Sequence, residues 1–173
     1  CANIDVGIDV ASKLAKENCL IVGAMKSRSQ FDRFIGGFGV VGDGAGVIWL
    51  SKDSQQLELV YSHTSSNPNL SNGQNEEGAV IENYKLYSEA LNRAKTAYDF
   101  EQMSAVGIQN ANPMLAKQIL AQYGVPESKI MLDGFGEHGH LGAVDSVVNL
   151  KKMTEMVHTN GTIMTIRTSW FGV

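Results

Sequence analysis

The sequence predicts an α/β fold built on buried sheets. Segments of helical period alternate with short apolar runs of strand length along most of the chain. The chain has 18 glycines and only 3 prolines, which suits tight turns between regular elements and gives no sign of disorder. A hydrophobic share of 43% over 173 residues is enough for one sizeable core, or for halves of two.

In chain order, residues 3–16 read as a helix, with Ile4, Ile8, Ala11 and Ala15 at helical spacing. Residues 20–24 are a short apolar run, read as a buried strand. Residues 27–38 carry charges and the Gly36-Gly37 pair and read as a loop. The run Val40-Val41-Gly42-Asp43-Gly44-Ala45-Gly46 reads as a tight turn that feeds a strand at 47–50, and 57–62 alternate weakly as a further strand. Residues 64–77, rich in Ser, Asn and Gly, read as a surface loop or flap. A long helical pattern covers 84–103, with Leu86, Ala90, Ala94, Ala97 and Phe100 on one side. A strand at 106–108 turns into a helix with Asn112 as its cap and Pro113 at the first helical position. A strand at 129–132, a glycine-rich loop with two histidines at 134–142, a helix at 143–158 and a strand at 162–167 complete the pattern. No repeat of solenoid length is visible.

Several classes are excluded. The net charge is −4, and no Lys/Arg run or basic–aromatic interleaving appears, which argues against a nucleic-acid role. No apolar stretch reaches the ~18 residues of a membrane helix. The two cysteines, Cys1 and Cys19, make neither a disulfide framework nor a zinc site. Free thiols fit a cytoplasmic protein. No signal peptide is visible, although one already removed would leave no trace. Three explanations compete for a cysteine in first place: a trimmed chain, a processed mature chain, or self-cleavage that exposes it.

A family resemblance rests on ordered motifs. Cys1-Ala2 followed by a helix, Leu20-Ile21-Val22-Gly23-Ala24, Asp32-Arg33, and Gly42-Asp43-Gly44-Ala45-Gly46 together resemble the beta-ketoacyl synthase III type of thiolase-fold enzyme, read from its active-site cysteine onward. Gln109-Asn110-Ala111-Asn112 matches the family's histidine turn, and His138-Gly139-His140-Leu141-Gly142 matches its glycine–asparagine turn. The resemblance implies a thiolase-like layered α-β-α-β-α fold. This chain would supply the end of the first half and most of the second: 1–62 the end of the N-terminal half, 63–83 a loop or flap, 84–173 the C-terminal half.

The matches include departures. Gln109 stands where the synthases carry their catalytic histidine, and His140 stands where they carry asparagine. The glycine-rich run before the last strand is replaced by residues ending Thr168-Ser169-Trp170-Phe171-Gly172-Val173. Gln109 and His140 are closer to the degradative and biosynthetic thiolases, which place an amide first and a Gly-His turn second. The second thiolase cysteine has no match.

The chemistry these residues can do is acyl transfer. A Cys1 thiolate just before a helix gains from its N-terminus and can hold an acyl group as a thioester. If Cys1 is a true N-terminus, its α-amine, with a free pKa of ~8, is a second local base. His140 in a glycine-dense loop can act as a general base or as a donor to a thioester carbonyl. Gln109 can donate to the same oxyanion but cannot shuttle protons. The resemblance brings these three together; their spacing alone does not. His138 reads as a residue that orients the loop, Asp43 as a cap on backbone N–H groups, Asp32-Arg33 as a loop ion pair or interface contact, and Cys19 as a small buried hydrophobe. His63 and His158 have no partner pattern. The Gly42–Gly46 turn lacks the Lys-Ser/Thr of a phosphate loop and reads as packing near the active-site floor.

The leading expectation is an acyltransferase or condensing-type enzyme of specialised biosynthesis that forms an acyl-thioester on Cys1. The acyl donor is an acyl-CoA or a phosphopantetheine-linked group on an acyl carrier protein, taken as substrate, with no cofactor held permanently. Exposed strand edges imply that the N-terminal half arrives as a separate or cleaved chain, in a dimer of such pairs. Cleavage just before Cys1 would be autoprocessing. Two alternatives stay open: an N-terminal-nucleophile amidohydrolase or amide-forming enzyme, and a non-catalytic partner subunit of a ketosynthase.

Overall fold

Apolar residues on helices and strands sort this chain into layers. The computed structural model describes residues 2–14, 17–27, 29, 33–35, 39–54, 56–65, 76–157 and 160–168. Cys1, Ala15, Asp32, the Gly36-Gly37 pair, His158 and the residues after Thr168 lie outside them.

The first helix, α1 (Asn3–Lys13), leads into β1 (Asn18–Met25). A short ribbon of β2 (Phe34–Ile35) and β3 (Gly39–Val40) precedes β4 (Gly44–Ser51). Next come α2 (Glu76–Ala97), β5 (Ala105–Ile108) and α3 (Pro113–Gln122). The chain continues through β6 (Ile130–Met131), α4 (Asp133–Glu137), α5 (Asp145–Met156) and β7 (Ile163–Ile166).

Two sheets result. β1 and β4 pair antiparallel, with Gly23 opposite Gly46. β5 lies between β6 and β7, parallel to both. One face of this second sheet packs Val106, Ile108 and Ile166 against Tyr87, Leu91 and Ala94 of α2 and Ala116, Ile119 and Leu120 of α3. The other face packs Ala105 and Met131 against Met153 of α5. Removing a side chain such as Leu91 from water contributes about 1.5–3 kcal/mol.

α1 and α5 form a layer between the two sheets. A side chain at Gly23 would collide with Ile4 of α1, and one at Gly46 would press on Val147 of α5. The glycine pair is therefore a flat seat for both helices. The far face of the β1–β4 ribbon is apolar and uncovered. Leu20 and Val22 there are 66% and 65% exposed, and their ladder partners Trp49 and Val47 are 67% and 52% exposed. Among the described residues, β1, β4 and β7 each have one edge with no strand beside it.

Several sequence expectations change. The helix expected from residue 84 begins at Glu76, so part of the expected flap is helical; acidic residues at its start favour the helix N-terminus. It stops at Ala97, where the Asp99 carboxylate accepts the Glu101 N–H (3.0 Å) and turns the chain. Ala97 is exposed, whereas Ala94 and Phe100 are buried. Residues 57–62 make no ladder; side chains hold them, with Tyr98 bonded to the Val60 carbonyl (3.3 Å) and Ser62 to Asp9 (2.8 Å). The Gly42–Gly46 run is a turn only at its start, since Gly44 to Gly46 are strand. Residues 134–142 contain α4, and Lys152 of α5 pairs with Glu137 on it. Cys19 is half-buried on a cavity wall, not in the core.

Ala97 and Ala94 share the helical pattern but differ in burial. Ala94→Lys should cost more than about 2 kcal/mol, because it buries an unpaired charge. Ala97→Lys should stay within about 0.5 kcal/mol. Urea denaturation followed by circular dichroism checks both, and equal losses would contradict the packing of α2.

Candidate functional site

The site grows from the ends of β5 and α5. Asn112 caps α3 by accepting the Met114 and Leu115 N–H groups (2.9 and 3.1 Å), as the sequence predicts, with Pro113 in the first turn. That cap fixes the turn leaving β5, where the Ala111 N–H bonds the Gln109 carbonyl (2.9 Å). Gln109 is half-buried, and its side-chain oxygen accepts the Thr168 N–H (3.1 Å) just after β7. With the oxygen so engaged, the amide nitrogen is the end that can donate elsewhere.

His140 is clamped by backbone. Its N–H bonds the Val40 carbonyl (2.8 Å), and its own carbonyl accepts the Gly42 N–H (2.9 Å). Gly139 and Gly142 flank it with φ of 65° and 59°, a left-handed conformation that side chains disfavour. Gly42 has to be glycine for another reason: a Cβ there would strike the His138 carbonyl oxygen. The Gly-Asp-Gly turn therefore packs directly under the histidine loop. His138 is partly exposed and lies 3.3 Å from Glu137.

Asp145 opens α5 and anchors the site. Its Oδ2 lies 2.6 Å from His140 Nδ1 and accepts the Asn110 N–H (2.9 Å), while its Oδ1 accepts the Leu141 N–H (2.7 Å). His140 is 3% exposed and Asp145 is 0% exposed. A carboxylate at a helix N-terminus is favoured by the helix dipole. A carboxylate beside Nδ1 favours a proton on that nitrogen and fixes the ring orientation. Beneath this pair, Asn110 and Asn149 exchange amide bonds (3.3 and 3.2 Å), and Asn149 also donates to the Ile108 carbonyl (2.9 Å).

Asp145 thus joins the backbone just after Gln109 to the His140 imidazole through one carboxylate oxygen, while the Gln109 side chain bonds the Thr168 N–H. Cys1 lies outside the described residues, but α1 starts close by: Asp5 in its first turn accepts the Ser146 hydroxyl (2.5 Å) in the first turn of α5. Asp145 and Asn149 are site residues that the sequence reading missed. The available signal was an Asp five residues after His140 at a predicted helix start, with Asn149 one helical turn on.

Nearby groups respond to this arrangement. Burial pushes the Tyr87 phenol well above its usual range, while the Thr168 side chain and Arg167 charge pull it down and the Asp145 charge raises it. Asp43 is held below the usual carboxylate range by Arg33 (2.7 Å) and then by the Ser27 N–H (2.8 Å). Arg33 therefore pairs with Asp43, and Asp43 does cap a backbone N–H; the expected Asp32-Arg33 pair lies outside the described residues. His63 is exposed. Among the described residues, no group of three or more His, Cys, Asp and Glu side chains is placed to hold a metal, and no helix is long and apolar enough to cross a membrane.

No protein-family model and no curated protein matches the chain. Solved structures do. ChlB3, described as an acyltransferase, superposes with a TM-score of 0.80 at 19% identity, covering 96% of this chain and 60% of its own. The 3-oxoacyl-acyl-carrier-protein synthase III of Aquifex aeolicus gives 0.72 at 16%, covering 98% and 61%. OleA of Xanthomonas campestris, in a form with cerulenin, gives 0.73 at 16%, covering 96% and 57%. The chain has the layered α/β fold of thiolase-type condensing enzymes, and it spans about 60% of the length of these structures.

Asp145→Asn should remove the charge that selects the His140 tautomer. Nitrogen-15 NMR of the wild type should place the proton of the neutral imidazole on Nδ1, and the variant should lose that signature. It should also lose about 3–5 kcal/mol of stability. An Nε2-protonated His140 in the wild type would contradict the assigned pair.

Proposed function

We propose that the assembled protein is an acyltransferase that carries its acyl group as a thioester on Cys1. The observation that carries this reading is the joining of two helix starts. Cys1 stands two residues before α1, and His140 with Asp145 stands at the start of α5, in a fold shared with acyl-transferring and condensing enzymes. The Cys1 thiolate attacks the thioester carbonyl of an acyl-CoA or a carrier-bound acyl group. A new C–S bond forms to Sγ, and the pantetheine thiolate leaves with a proton. His140 Nε2 manages protons, with Asp145 holding its partner nitrogen. The Gln109 amide donates to the carbonyl oxygen as charge develops there. The acceptor is a carbon nucleophile, an amine, an alcohol or water.

The apolar outer face of the β1–β4 ribbon supports a second part of the proposal. A further portion of the fold covers it, on the same polypeptide or another, and the active unit includes that portion. An uncovered patch of this kind is costly in water.

The assembled protein, incubated with a mixture of acyl-thioesters, should gain the mass of one acyl group on this chain. Cys1→Ser should abolish the adduct, and His140→Ala should slow its formation by about 10²–10⁴-fold. An intact assembly with a reactive Cys1 thiol and no adduct from any donor would instead identify a non-catalytic subunit.

A further inference from the structure

Two buried amides lie beneath the His140–Asp145 pair, and the acyl-transfer chemistry above does not use them. Asn110 is 2% exposed and Asn149 is 0% exposed. Burying a primary amide costs free energy unless its hydrogen bonds are made. Two apolar side chains of similar shape would fill the same space without that cost. Here the bonds are made. The Asn149 Nδ2 donates to the Ile108 carbonyl (2.9 Å) and to the Asn110 Oδ1 (3.2 Å), and the Asn110 Nδ2 donates back to the Asn149 Oδ1 (3.3 Å). A buried polar group satisfied in this way fixes one arrangement of the chain around it.

The other side of the Asn110 amide is set by a glycine. A Cβ at Gly134 of α4 would collide with the Asn110 Nδ2, and the next nearest atoms, at 3.1 and 3.2 Å, belong to the same amide. Gly134 is helical and is not among the glycines with positive φ, so its backbone does not call for glycine. Glycine inside a helix is unfavourable in itself. What it provides here is the slot that receives the Asn110 side chain.

The amide pair leads to the carboxylate. The Asn110 backbone N–H meets the same Asp145 oxygen as His140 Nδ1 (2.9 and 2.6 Å). Among the described residues, the other donor to that carboxylate is the Leu141 N–H, which belongs to the histidine loop, as the imidazole does. Asn110 is thus the contact that ties the carboxylate to the end of β5. Asn149 follows Asp145 by one helical turn and shares its face of α5. Two side chains of α5 therefore grip Asn110, Asp145 through its main chain and Asn149 through its amide.

We infer that the Asn110–Asn149 pair, seated against Gly134, is a positioning element for His140: it holds the Asp145 carboxylate in the orientation that keeps the proton of the neutral imidazole on Nδ1. Its members act through Asp145. This deepens the acyl-transfer reading by adding the residues that orient its base, and it rests on that reading only for the purpose the base serves.

The test uses the assembled protein labelled with nitrogen-15 histidine, at a pH where the imidazole is neutral. The His140 signals are assigned by their loss in His140→Gln. Asn149→Leu removes the three amide bonds and keeps a side chain of similar volume. It should lower the ratio of Nδ1-protonated to Nε2-protonated His140 by roughly two- to tenfold, the size of one hydrogen bond. Gly134→Ala displaces the Asn110 amide from the other side and should give the same change. The double variant should go no further than either single one, because both disable one device. Ile119→Ala opens a cavity in the core on the α2–α3 face of the sheet, and it should lower the melting temperature while leaving the ratio as it is. An unchanged ratio in folded Asn149→Leu and Gly134→Ala would overturn the inference and leave the amides as a cap on the end of β5. An equal change in Ile119→Ala would also overturn it, since any loosening of the fold would then suffice. A ratio that responds as expected, with no acyl-enzyme formed from any donor, would uphold the positioning role and remove the acyl-transfer reading.

Discussion

Asp145 is a single buried carboxylate on which three segments converge. One oxygen takes the backbone N–H that follows Gln109 together with the imidazole of His140, and the other takes the backbone N–H of Leu141. The strand end at β5, the histidine loop and the first turn of α5 are thus held by one charge. Inside a protein such a charge is tolerable only when its lone pairs are used, and here all of the named donors are close to 3 Å or nearer. The catalytic geometry proposed for His140 and the amide of Gln109 depends on that group staying buried with these bonds in place. The amide pair of Asn110 and Asn149 extends the network one helical turn deeper, so the polar cluster is anchored to the core instead of lying on it.

The alternation of helix and strand was legible from periodicity, while the layering came from the family resemblance. The strands at β1, β4, β5, β6 and β7 fall on the apolar runs, and the Asn112-Pro113 helix start is stated by two residues. The failures have physical causes. Residues 57–62 alternate like a strand but meet no ladder, because side-chain bonds from Tyr98 and Ser62 fix them. The start of α2 was hidden in a polar segment where helix propensity is carried by glutamates and not by an apolar stripe. The conformation of Gly44 to Gly46 was misread, because glycine signals a turn by default, whereas these residues are strand and Gly46 seats Val147 of α5. For the site, His140 and Gln109 came from a family resemblance. Asp145 was in plain view but looked like one more acidic residue at a helix start. Only the fold shows that its carboxylate turns back toward the loop.

The sheets differ in how complete they are. The second sheet has helices on both faces, α2 and α3 on one and α5 on the other, and, among the described residues, an open edge at β7. The β1–β4 ribbon has a helical layer on one face only, and its other face carries Leu20, Val22, Val47 and Trp49 in the open. The matched structures are longer than this chain, which spans about 60% of them. The half-covered ribbon and the large cavity beside α1 and β7 both sit where this chain alone leaves apolar surface in contact with water.

The Gly23–Gly46 pair has a consequence for how the ribbon finds its alignment. In an ordinary strand pair, the alternation of apolar and polar residues selects the register, because a slip by one residue turns the oily side outward. Here both sides are oily, so that signal is absent. Size takes its place. A slip of one residue would bring Trp49 or Val47 beneath the inner helices and send the glycines to the outside, where they support nothing. Ile4 and Val147 then act as gauges that accept only the one alignment with no side chain below them.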